Sequence, residues 1–333
     1  MGEKSPTLPQ WEKLYQAAEQ IEALAPWELL WDTDLVEVMV PGREHPAYCA
    51  VLGHAGENPG VNVYDSTEGL ERLSRLIDAP EGENQLLHIY EQKFLGCFFG
   101  PKEELMVPDQ SVLKQLGRSY DKQWIYFRNS EPGYIPWYLD AEQAELMTVA
   151  LEGLRECTEQ LRMGKIQAHY DREQFLSCKR QENRWEVTQT TPPEIFGYFP
   201  RFVVEEEELA PLRLAKKVDR VLELDSFYVP TPIQPEPGKP GYFPRATVLM
   251  DRDSGSCIEQ ETGKAEDDFH ETALSMVSRF IAKEGCPTTI CIRDDRLYGV
   301  LYDLCQALEI RLMVGIGMPM ADRYFNEMLR FMQ

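Results

Sequence analysis

The sequence predicts an α+β protein of two domains: an N-terminal antiparallel sheet with helices, and a C-terminal mixed sheet with flanking helices. Three observations carry this. The chain has 333 residues, more than the roughly 100 to 200 of one ordinary domain. Hydrophobic residues make up 43% and charged residues 27%, the proportions of a globular chain that can bury a core. Short apolar runs bounded by Gly, Pro, Asn and Asp interleave with stretches whose apolar residues recur every three and four positions.

The N-terminal domain is read over 1–166. Residues 8–24 place Trp11, Leu14, Ala18 and Ile21 on one helical face, and Pro26 stops the helix. Runs at 35–40, 48–52 and 61–64, separated by Pro41-Gly42 and Glu57-Asn58-Pro59-Gly60, predict an antiparallel meander. Ser66 or Thr67 caps a helix bearing Leu70, Leu73, Leu76 and Ile77, and Phe94 to Phe99 supplies another strand. A short helix runs from Pro108 or Asp109 to Gly117, followed by a strand from Trp124 to Phe127. Asp140 and Gln143 form a capping pair for a long helix with Leu146, Val149, Ala150, Leu154, Cys157 and Leu161 on one face, and Gly164 ends it. The polar stretch 167–184 reads as a hinge.

The C-terminal domain is read over 180–333, with a hairpin and a βαβα tail. The acidic run Glu205 to Glu208 is a solvated face or helix start. A strand around Val218 to Phe227 leads into a stiff connection, Pro230 to Pro240. Ala246 to Met250, the turn Asp253-Ser254-Gly255 and Ser256 to Gln260 form a hairpin. Asp268 and Glu271 cap a helix lined by Ala273, Leu274, Val277, Phe280 and Ile281, which Gly285-Cys286-Pro287 ends. Thr289 to Ile292 is a buried strand. Leu297, Val300, Leu301, Leu304 and Leu308 mark a helix, Arg311 to Val314 a strand, and Ala321 to Phe331 a terminal helix.

Charge narrows the function. Lys and Arg total 34 against 56 Asp and Glu, a formal net charge of -22. Such a surface repels phosphate backbones and anionic lipid, so neither nucleic acid nor a membrane is the expected partner. No run reaches the roughly 18 apolar residues of a membrane span. Met1-Gly2-Glu3-Lys4-Ser5-Pro6 resembles neither a signal peptide nor a good myristoylation site, so a cytoplasmic location is expected. The eight cysteines contain no Cys-x-x-Cys, which fits reduced, buried thiols. Cys286, Cys291, Cys305 and His270 lack the close ligand pairs of a zinc site, and no two histidines have metal-ligand spacing.

Two acidic groupings carry the catalytic alternatives. Asp251, Asp253, Asp294 and Asp295 are reminiscent of RNase H-like nucleases, in which carboxylates hold two divalent ions for phosphoryl transfer. With two strands counted before the crossover helix, strand polarity puts Asp251 and Asp294 at opposite ends of the sheet, and turn formation becomes the simpler role. Asp294-Asp295-Arg296 and Gly315-Ile316-Gly317 follow the last two strands, which are parallel, and open α/β sheets bind ligands at carboxyl ends. Adjacent aspartates would repel a phosphate unless an ion such as Mg intervened. No Gly-x-Ser-x-Gly is present. Tyr134, Trp137 and Tyr138 form either a recognition surface or packing over the following helix. Gly197-Tyr198-Phe199-Pro200-Arg201 recurs as Gly241-Tyr242-Phe243-Pro244-Arg245, with Gly133-Tyr134-Ile135-Pro136-Trp137 a looser relative.

Ala25-Pro26-Trp27-Glu28, Val63-Tyr64-Asp65, Gly69-Leu70 and Pro132 through Leu139 resemble a bacterial N-terminal domain of unknown function. Pro244 through Met250-Asp251, Gly285-Cys286-Pro287, Ile292-Arg293-Asp294 and Leu304 to Ile310 are similar to a second uncharacterised domain that follows it. The resemblance implies a bacterial intracellular protein and transfers no activity. The expected function is therefore non-enzymatic binding, with another protein as partner and no resident cofactor. A metal-dependent phosphoryl-transfer enzyme built on the C-terminal aspartates is the alternative.

Overall fold

In a computed structural model the chain forms two compact units, one of residues 1–83, 92–131 and 136–196, the other of residues 84–91, 132–135 and 197–333. Residues 5–56, 58–79, 85–167, 170, 174–181, 184–195, 201–234, 237–315 and 317–331 are described.

The first unit contains α1 (Leu8–Leu24), β1 (Val36–Met39), β2 (Ala47–Leu52), β3 (Gly60–Tyr64) and α2 (Thr67–Ile77). After α3 (Leu86–Ile89), which belongs to the second unit, come β4 (Phe94–Gly100), α4 (Val107–Leu116), β5 (Trp124–Ser130), α5 (Ala141–Arg162), β6 (Phe175–Gln181) and β7 (Arg184–Thr190). The strands form one sheet in the order β5-β4-β3-β2-β1-β6-β7. All neighbours are antiparallel except β1 and β6. Inward residues of β1 to β3, among them Val36, Val38, Val51 and Val63, share a core with Leu14 and Ile21 of α1 and Met147 and Leu154 of α5. Gly153 permits the closest approach of α5, because a Cβ there would lie 2.6 Å from Val38 Cγ1. Asp140 Oδ1 accepts the Gln143 N–H at 2.8 Å and Gln143 Oε1 accepts the Asp140 N–H at 3.0 Å, the reciprocal cap expected of that pair.

The hinge read over 167–184, and the second domain's start at 180, are corrected. β6 pairs beside β1 and the first unit runs to 196. Leu176 and Cys178 are wholly buried, whereas Lys179 to Gln181 and alternate residues of β7 are exposed. A hairpin at a sheet edge needs few apolar residues, so its polar composition conceals it. His169 lies outside the described residues.

The second unit adds α6 (Glu206–Leu212), β8 (Val221–Tyr228), β9 (Arg245–Asp251), β10 (Cys257–Gly263), α7 (Phe269–Lys283), β11 (Thr289–Ile292), α8 (Arg296–Ala307), β12 (Arg311–Val314) and α9 (Pro319–Phe331). Its sheet runs β10-β9-β8-β11-β12, with β8, β11 and β12 parallel and β9 antiparallel to both neighbours. The count of two strands before α7 is thereby corrected to three. The strand expected around Val218 to Phe227 is the central one, so polarity cannot be read from two strands alone. Leu222, Leu224, Ile290 and Ile292 pack under α7 and α8. Phe227, Ala246, Val248 and Met250 pack on the other face with Phe325 of α9. Alternation along β8 therefore puts Glu223 and Asp225 on the α9 face, at 0% and 3% exposure.

Two of the related Gly-Tyr loops pair with each other. Ile135 N–H donates to Gly241 O at 2.9 Å and Phe243 N–H to Gly133 O at 2.7 Å, so Tyr134 and Tyr242 form a β-bridge. Gly133 has φ +76°, and a Cβ there would lie 2.4 Å from the Tyr228 ring. Of the third copy, Gly197 to Pro200 lie outside the described residues; Arg201 donates to Asp303 Oδ1 at 2.9 Å.

Candidate functional site

The candidate site lies where β8 and β11 end. Ile292 pairs with Leu224, so Arg293 and Asp294 emerge beside Asp225 and Ser226. Consecutive residues point to opposite faces. Arg293 meets the α9 side and Asp294 the side of α7 and α8, and two separate charge clusters result.

On the α9 side, Arg293 Nε donates to Asp225 Oδ2 at 3.1 Å, and its Nη2 donates to Asp322 Oδ1 on α9. Burial pushes the Asp225 carboxyl up to about 6, although Arg293 pulls the other way. Next to it, Glu223 Oε2 accepts the N–H groups of Met320 and Ala321, both at 2.9 Å. The N-terminus of α9 thus rests on a buried carboxylate, a favourable pairing of negative charge with the positive helix end. Arg252 Nε lies 3.5 Å from Glu223 Oε1.

On the opposite face, Asp294 Oδ1 accepts from both the backbone N–H and Nε of Arg296 at 2.9 Å. Arg296 Nη2 continues to Glu91 Oε2 at 2.9 Å, and Glu91 Oε1 accepts from Arg245 Nη2 at 3.0 Å. Arg245 Nε donates to Ser226 Oγ at 2.8 Å, which lies 3.1 Å from Thr247 Oγ1. The Arg245 guanidinium stacks 3.7 Å from the Phe269 ring centroid. Beside Arg245 opens a cleft of about 170 Å³ between the end of β10 and the start of α7.

The other sequence candidates are dispersed. Asp251 pairs with Leu222 at the start of β8, so it stands away from the end where Asp294 follows β11. Its Oδ1 accepts the Ser254 N–H at 2.8 Å and hydroxyl at 2.9 Å, a self-closed turn. Burial raises its pKa, but the Ser254 bonds and Arg220 outweigh that and lower it. Asp295 occupies the N-cap position of α8. Gly315 N–H donates to Ile292 O at 3.2 Å, and Gly317 O accepts from Arg252 at 3.2 Å; Ile316 lies outside the described residues. Among the described residues no group of three or more His, Cys, Asp or Glu is placed to hold a metal ion. No described helix is long and apolar enough to cross a membrane. The aromatic trio is divided: Tyr134, in the second unit, donates to Glu266 at 2.8 Å, whereas Trp137 and Tyr138, in the first, face each other at 4.8 Å.

Residues 11–177, half of the chain, match the family described as domain of unknown function (DUF7309). The chain belongs to that family. Residues 208–329 match a second domain of unknown function (DUF6930). No curated protein matches, and no solved structure matches.

In this DUF7309 chain sequence reasoning reached Asp294 but missed Glu91, Asp225, Arg245, Arg293 and Asp322. One signal was present. Val221 to Tyr228 reads as a buried strand yet carries Glu223 and Asp225, and buried carboxylates require partners. Nothing local marks Glu91, which reaches Arg245 across 154 residues.

Proposed function

We propose that the chain is a non-enzymatic binding protein of the bacterial cytoplasm whose partner is another protein. The observation that carries this reading is Arg293, whose guanidinium stands between Asp225 and Asp322. A cation already neutralises these carboxylates through directed hydrogen bonds, and Arg296 does the same for Asp294. A divalent ion would have to displace a hydrogen-bonded arginine. The net charge of -22 disfavours a nucleic-acid substrate as well. Support for a protein partner comes from Trp31, 50% exposed, whose ring lies 3.9 Å from that of His54. His54 is itself held through Nδ1, 2.7 Å from Trp27 O. A preordered, accessible tryptophan has the chemistry of a binding hot spot.

The metal-dependent phosphoryl-transfer reading draws on one observation, the strand order with Glu223 and Asp225 on its central strand. Thermal melting with and without millimolar manganese separates the two. No shift is expected. A rise of several degrees that Asp225→Asn abolishes would replace binding with metal chemistry. For the partner, a protein recovered with the full chain should be released by Trp31→Ala, and its undiminished retention would remove the support that Trp31 gives.

A further inference from the structure

We propose that the cleft between β10 and α7 is a binding site for a small oxyanion, the phosphate or carboxylate group of a low-molecular-weight ligand, with Arg245 as its anchor. This goes beyond the protein-binding reading and does not depend on it.

Arg245 is only 6% exposed and lines the cleft. Its guanidinium is fixed on three sides, by Ser226 through Nε, by Glu91 through Nη2 and by the Phe269 ring below. Nη1 has no acceptor among the described residues. A guanidinium carries five N–H donors, and those of Nη1, which is not a buried atom, are left open to the cleft. The free edge is therefore rigid, cationic and open to a ligand, and an oxyanion matches its planar geometry.

The rest of the cleft agrees with an anion of this size. Thr262 brings an exposed hydroxyl and Lys264 a second cation, 4.0 Å from Glu266, while Thr247 Oγ1 already meets Ser226 Oγ and Thr272 Oγ1 donates to Asp268 O. The start of α7 lines the wall through Phe269 and Thr272, and its first turn is capped by Asp268, whose Oδ1 accepts the His270 N–H at 2.9 Å. The two acids of the lining each have a partner, Asp267 within the lining itself. Glu261 is tied to Arg279, and Asp267 Oδ2 accepts the Lys264 N–H at 2.7 Å. About 170 Å³ accommodates a phosphate or carboxylate group with a short substituent.

The test is isothermal titration of the full chain with inorganic phosphate and, separately, acetate, at constant ionic strength with chloride as the background salt. Saturable binding in the millimolar range is expected for at least one of them, and the tighter of the two identifies the oxyanion class. Thr262→Phe, on an exposed edge-strand position, fills the cleft without touching the partners of Arg245 and should abolish binding. Lys264→Ala should weaken it about threefold, the effect of one exposed charge. Arg245→Lys keeps the charge but loses the fork, and should also lose the signal. If that variant fails to fold, Thr262→Phe carries the test alone, its fold checked by circular dichroism. Absence of saturable heat with both anions overturns the proposal. So does binding that survives unchanged in a folded Thr262→Phe protein.

Discussion

Arg128 of the first unit and Arg245 of the second are both buried, at 4% and 6% exposure, and both pair with a buried carboxylate. Arg128 spends both Nη groups. Nη1 donates to Asp109 Oδ1 at 3.1 Å and Phe127 O at 2.7 Å, and Nη2 to Asp109 Oδ2 at 2.8 Å and Glu104 O at 3.1 Å. Asp109 in turn accepts the Met106 N–H at 2.8 Å, so the pair pins the start of α4. Arg245 has comparable burial but an unspent nitrogen that borders a cleft. The difference teaches that burial of a charge does not itself separate scaffold from site. Whether both Nη groups are spent does.

The largest expected effect breaks this comparison on stability. Arg128→Ala leaves Asp109 buried without its counter-charge, which costs about 3 to 5 kcal/mol. Arg245→Ala leaves Glu91 still paired with Arg296 at 2.9 Å, so its cost is about 1 to 3 kcal/mol. Urea denaturation of the two variants gives the order. A larger loss for Arg245→Ala would mean that its bonds hold the fold more firmly than those of Arg128, and the distinction would fail.

A second, intermediate effect concerns pH. Asp225 faces Arg293 and, beyond it, Asp322, and its folded pKa is raised from 3.8 to about 6. The folded state therefore holds this proton more tightly than the unfolded state does. The stability it contributes is fully present below pH 3.8 and is lost as pH rises through about 6. Asp225→Asn removes that dependence, so the stability difference between wild type and variant should shift against the wild type over this window. Melting temperatures across the range measure it, and parallel profiles would show that Arg293 holds Asp225 ionised throughout.

How much of this was legible in the sequence follows the same physics. The meander, the capped helix at Asp140 and the hairpin around Gly255 rest on local turn and capping chemistry, and each is readable where it stands. The pairing of β6 with β1 is not, because a half-exposed edge hairpin carries Lys179, Arg180 and Arg184 rather than an apolar signature. At the candidate site Asp294 was reachable because it ends a strand. Its role depends on Arg296, Glu91 and Arg245, which come from separate segments, and no spacing rule joins them. Asp251 and Asp294 look alike as strand-ending aspartates, yet one closes its own turn and the other is clasped by an arginine.

That contrast supplies the smallest effect and the sharpest sign. Asp251 is satisfied by Ser254 three residues on, and its pKa is lowered rather than raised. Asp251→Ala should cost about 1 kcal/mol at neutral pH, the scale of one local side-chain cap. A depressed pKa contributes stability that is present above the ordinary carboxylate range and lost as pH falls through the folded value. The cost of Asp251→Ala should therefore vanish on acidification, whereas the effect of Asp225→Asn changes in the opposite direction over its own window. Because Asp251 stands at the far end of the strands from Arg245, phosphate binding should be unaltered in Asp251→Ala. A variant that lost binding as well would couple the two ends of the sheet and remove the independence on which the assignment of the cleft to Arg245 rests.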